Sequence, residues 1–151
     1  VSKYTQLHDS ITKNIEKHGW NIIFVFSPEG EEGIAYAYTI GMRQTCDHPD
    51  LILSGLPYET AGIILNHIGK DIKEGLQLTH GEELPGYLGD NYKIKVVKVD
   101  VLKYQQVILQ CMNYYEDRDV DPRDIEFFQI VWPDKDGEYD TTHPKLQDLF
   151  M

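Results

Sequence analysis

The sequence predicts a single α+β domain spanning residues 1–151, with a mixed or mainly antiparallel sheet of about five strands flanked by three helices. Three observations lead there. Two stretches carry apolar residues at helical spacing, several short runs carry strand formers, and the two kinds of segment do not alternate regularly as βαβ units would. At 151 residues the chain is long enough to bury a core without disulfides or a structural metal.

Residues 3–18 read as an amphipathic helix, because Tyr4, Leu7, Ile11 and Ile15 recur at spacings of three and four. Ser2 is placed to cap its start, and Gly19 to end it in a left-handed conformation. Trp20 to Phe26 is an almost unbroken apolar run, expected to be a central strand covered on both faces. The Pro28–Gly33 segment turns the chain, with an acidic, glycine-rich tip expected to move. The strand from Ile34 then pairs back as a hairpin. In that strand Tyr36, Tyr38 and Ile40 share one face, and Ala35, Ala37 and Thr39 the other.

A polar hinge, Met42 to Asp50, leads to a third strand, Leu51 to Ser54. A second helix follows over about Tyr58 to Glu74, with Ala61, Leu65, Ile68 and Ile72 as its buried stripe. Gln77 to Asp90 is glycine-rich and aperiodic, hence a loop. Tyr92 to Val99 is a strand whose alternation breaks at Val96-Val97, which predicts a β-bulge there. Val101 to Tyr115 predicts a third helix with Leu102, Val107, Ile108, Cys111 and Tyr115 toward the core. Ile125 to Trp132 is the last clear strand, with Phe128, Ile130 and Trp132 on one face. Pro133 to Gly137 is a turn, and the tail from Glu138 would add a short edge strand before loosening.

Charge and cysteine content narrow the function. A formal charge of −11, with no cluster of Lys and Arg, argues against a nucleic-acid partner. Two cysteines without CxxC spacing make neither a disulfide framework nor a zinc knuckle and fit reduced thiols in a cytoplasm. No apolar stretch is long enough to span a membrane, and no leader pattern opens the sequence.

The candidate site is the strand–hinge–strand over residues 34–57. Its first reading is a binding pocket for a small anionic or aromatic ligand, or for a protein partner. Trp20, Tyr36, Tyr38 and Trp132 would form the walls, and Thr39, Arg43 and His48 the polar anchors. Arg43 suits a carboxylate or phosphate. The alternative is a hydrolase-type enzyme in which His48 works with Asp50 or Cys46, with or without the help of a metal. Each of these has a plainer role open to it. His48 could bond the backbone around Pro49, and Asp50 could hold the loop through backbone amides. Gly-x-Ser-x-Gly is absent around Ser54. Ligand types for a metal are present in His48, Asp47 and Asp50, with Cys46 and His18 beside them, but no familiar spacing is, so no metal or other cofactor is assigned. Exposed strand edges leave a homodimer open.

His18-Gly19-Trp20, Ala37-Tyr38-Thr39-Ile40-Gly41, His48-Pro49-Asp50-Leu51, Gly55-Leu56-Pro57 and Val131-Trp132-Pro133-Asp134 follow one another in that order. In this the chain resembles the bacterial domain of unknown function 4262 family, over roughly Ile15 to Gly137. The family pattern has Pro-Glu-Leu where this chain has Pro49-Asp50-Leu51. The resemblance implies a stand-alone cytoplasmic bacterial or phage domain and supplies no mechanism.

Overall fold

The computed structural model describes residues 3–26, 36–89 and 91–139. The expected Ser2 cap, the side chain of Tyr4, the turn over 28–33, Ile34 with Ala35, Asp90 and the tail from residue 140 lie outside the described residues. Within them the chain runs α1 (Lys3–His18), β1 (Asn21–Val25), β2 (Tyr36–Ile40), α2 (Met42–Cys46), β3 (Asp50–Ser54), α3 (Tyr58–Lys73), β4 (Glu83–Leu84), β5 (Ile94–Lys98), α4 (Leu109–Glu116) and β6 (Phe127–Val131). This is an α+β architecture with a mixed sheet of six strands in the order β1-β2-β3-β6-β5-β4. All neighbours are antiparallel except β3 and β6, which run parallel.

Strand alternation sends side chains to two faces, and both are covered. Tyr38, Ile40, Ile52 and Phe127 pack with Ile11 and Ile15 of α1 and with Cys111, Tyr114 and Tyr115 of α4. Ala37, Leu51, Leu53, Phe128 and Ile130 point the other way, onto Ala61, Leu65, Ile68 and Ile72 of α3. The helical stripes of α1 and α3 therefore meet opposite faces of the sheet, with α4 beside α1. Gly19 ends α1 at φ +101°, its N–H donating to the Ile15 carbonyl at 2.8 Å. Among the described residues no helix is long and apolar enough to cross a membrane.

Several sequence expectations are corrected. Among the described residues the run after Trp20 is an edge strand, not a central one: β1 pairs there only with β2, and Phe24 is exposed. Of the third predicted helix only α4 forms. Residues 101–108 make successive turns instead, with Tyr104 N–H on the Val101 carbonyl and Val107 N–H on that of Tyr104. Val101, Val107 and Ile108 are β-branched and lose χ1 freedom in a helix, which lowers the preference for one there. Leu102, expected toward the core, is exposed.

The bulge at Val96-Val97 is absent from the pairing with β6, which continues residue for residue from Lys95↔Val131 to Lys98↔Phe128. Parity breaks in the sequence because Ile94 and Val96 share the face buried toward α3, while Lys98, which alternation puts on that same face, ends the strand exposed. The glycine-rich loop also carries the two-residue strand β4, too short to show a period.

Candidate functional site

The hinge is built around one buried carboxylate. Asp50, the first residue of β3, is 1 % exposed. Its Oδ1 accepts from the Thr39 hydroxyl at 2.7 Å and from the Met42 N–H at 3.0 Å, and its Oδ2 from the Gly41 N–H at 3.4 Å. Thr39 in turn accepts the Leu51 N–H at 3.0 Å, so one hydroxyl ties β2 to β3 twice. Two amides at the entrance to α2 thus find their acceptor in a residue eight or nine positions on, which is what lets five residues hold a helical turn. Gly41 sits at φ +116°, and a Cβ there would fall 2.6 Å from Ile15. The turn therefore needs glycine for its backbone and for its neighbour.

Burial pushes the Asp50 carboxyl up to about 7, against the opposing pull of its three hydrogen bonds and of Arg43. Oδ2, with only the long bond, is the oxygen with room for the proton. The same negative charge bears on Tyr115 and Cys111, whose ionisation is already pushed up by burial. The Tyr115 hydroxyl is buried with no hydrogen-bond partner among the described residues.

His48 faces the other way. Its Nδ1 lies 2.8 Å from the Pro49 carbonyl and its Nε2 accepts the Leu78 N–H at 3.1 Å. These bonds define a neutral ring with the proton on Nδ1 and leave neither nitrogen for a substrate. Asp50 makes its bonds to Thr39, Gly41 and Met42, not to His48. Cys46 is half-buried and burial pushes its thiol up, the opposite of what an activated nucleophile needs. Among the described residues no three of His, Cys, Asp and Glu gather as a metal would require. Asp47, expected beside them, closes α2 in the left-handed region at φ +51°.

Residues 14–143 match the family described as a domain of unknown function, DUF4262. The chain belongs to the DUF4262 family. No curated protein and no solved structure matches it.

In this DUF4262 chain the sheet lies between the two halves of the expected aromatic wall. Tyr36 and Tyr38 pack on the α1–α4 side, stacked on each other at 6.3 Å, and the Tyr36 hydroxyl donates to the Val107 carbonyl. Trp20 and Trp132 belong to the α3 side, where Trp20 donates to Asn66 and Trp132 to the Ser54 carbonyl. Arg43 is placed differently. It lines a polar concavity of about 390 Å³ with Asp47, His48 and Pro49 and with Arg123, Asp124 and Glu126. The second group arrives because β6 runs parallel to β3, with the Asp50 N–H donating to the Glu126 carbonyl at 3.0 Å. Nothing in the local pattern around Arg123 announced this meeting. Arg123 itself is engaged by Asp121 at 2.7 Å. Arg43 is half-buried and forms no hydrogen bond or ion pair with any described residue.

Proposed function

We propose that this DUF4262 domain is a non-catalytic binding module that holds a small carboxylate on Arg43 at the rim of the hinge. The observation that carries the reading is the guanidinium itself. It is half-buried in a chain of net charge −11, beside Asp47, Asp124 and Glu126, and pairs with none of them. A planar fork of donors left open in a concavity matches a carboxylate bidentately. The three acids around it favour a ligand that also carries hydrogen-bond donors, as α-hydroxy and α-amino acids do. A volume of about 390 Å³ suits a molecule of that size.

The hydrolase reading gains no comparable support, since His48 would have to release a backbone bond before it could move a proton. The proposal also keeps the domain in a cytoplasm, where Cys46 and Cys111 stay reduced. Native mass spectrometry of the purified chain tests the reading. A small mass excess that is lost on denaturation and absent from Arg43→Gln is the expected result. An excess retained by Arg43→Gln would move the ligand elsewhere, and a doubled mass would report a homodimer.

A further inference from the structure

A second concavity, of about 570 Å³, opens where the end of α1 and the start of β1 face the last turns of α3. Its lining includes Lys70, Lys73, His18, Asn21, Asn66 and Trp20, and no carboxylate. That is unexpected in a chain with 25 acids against 14 bases. Asp71, on the same helical turn as the lysines, is committed elsewhere: it accepts from the Tyr87 hydroxyl at 2.6 Å and lies 3.8 Å from His67. Neither lysine forms an ion pair with a described residue.

The amides around the lysines are already oriented. Trp20 donates its indole N–H to the Asn66 side-chain oxygen at 2.9 Å, which leaves the Asn66 amino group as the outward-facing donor. Asn14 donates to the Asn21 oxygen at 2.6 Å, and the amino group of the buried Asn21 has no hydrogen-bond partner among the described residues. The floor beneath them is rigid. Trp20 is wedged so closely on α3 that a Cβ at Gly69 would meet its ring at 2.7 Å. Lys73 reaches across to the Gly19 turn, its Nζ 3.9 Å from where a Cβ would stand.

From this we infer that the Trp20–Lys70–Lys73 concavity binds a small phosphate-bearing molecule, at a site separate from the Arg43 rim. Lysine acts on phosphate as a point charge, and two of them three residues apart on one helix put both charges beside the same oxyanion. Lysines in the last turn of a helix also complement its dipole. That role explains their charge but not two amides locked with donors that have no partner among the described residues, nor the lack of an acid in the lining.

The probe is inorganic pyrophosphate, titrated into the full chain while the two indole N–H signals and the Asn66 amide are followed by NMR. Saturable shifts at Trp20 and Asn66, with Trp132 still, are expected. Lys70→Gln/Lys73→Gln should weaken the affinity at least about tenfold, and Arg43→Gln should leave it unchanged. Both lysines are exposed, so the double variant is expected to fold, and its urea midpoint checks this. The inference is overturned if Trp20 does not move, if Trp20 and Trp132 drift together without saturation, or if the folded double variant binds as tightly as the native chain. A lower midpoint with unchanged affinity would leave the lysines as helix-end charges only.

Discussion

The inside of the hinge and its rim are made of the same short stretch of chain and behave in opposite ways. Inside, Asp50, Thr39 and His48 have their hydrogen-bonding capacity taken up by the fold. On the rim, Arg43 is one side chain away from Asp50's turn and forms no hydrogen bond or ion pair with a described residue. The residues that look most like catalysts in the sequence are the ones the fold consumes. A polar group satisfied by backbone holds structure, whereas one left unsatisfied at a half-buried position is available to a ligand.

The contrast can be broken first at Asp50. Asp50→Ala removes the acceptor for the Thr39 hydroxyl and the Gly41 and Met42 amides in a site closed to water. A loss of about 3 kcal/mol or more is expected in urea unfolding, because each orphaned buried donor carries a desolvation cost. Loss of under about 1 kcal/mol would show that water reaches the hinge and that its interior is not sealed.

The pH dependence is the next lever. Asp50 titrates at about 7 when folded, above the ordinary value of 3.8. The native chain therefore holds a proton that the unfolded chain gives up above pH 4. Stability from this group is fully present below that point and is lost as the pH rises through 7, by up to about 1.4 kcal/mol per pH unit. Asp50→Asn keeps an acceptor oxygen for Thr39 and Met42 but cannot ionise, so it should flatten this slope. An unchanged slope would assign it to other groups.

A smaller effect is expected at His48. His48→Ala leaves the Leu78 N–H without its acceptor, at a cost of about 2 kcal/mol in the same unfolding assay. Phenylalanine should fare no better, since ring volume does not replace the lost acceptor. Full stability of either variant would return His48 to the rim as a free group.

How much of this was legible depends on distance along the chain. The stripes of α1 and α3 are helical periods sixteen residues long, and both were readable from spacing alone. The roles of Asp50 and His48 in bonding backbone were among the options that turn chemistry offers at Asp and His-Pro. What stayed hidden is non-local. Helix α2 is five residues long and has no period to detect; it stands because Asp50 returns to its entrance. The concavity around Arg43 needs Arg123 and Glu126, which are some eighty residues away and are brought over only by the parallel pairing of β6 with β3. The four aromatics of the expected wall part company for a related reason. Trp20 and Tyr38 lie near each other in sequence, but on opposite faces of the sheet.

The measurement that bears most directly on this division is urea unfolding of the native chain and of Arg43→Gln, each without ligand and with a panel of α-hydroxy and α-amino carboxylates. Without ligand the two midpoints should correspond to stabilities within about 0.5 kcal/mol of each other, as expected for a side chain that makes no hydrogen bond or ion pair with a described residue. A carboxylate that binds the rim should raise the midpoint of the native chain alone. A marked loss of stability in Arg43→Gln without ligand, or equal stabilisation of both chains by every carboxylate that acts, would contradict the account.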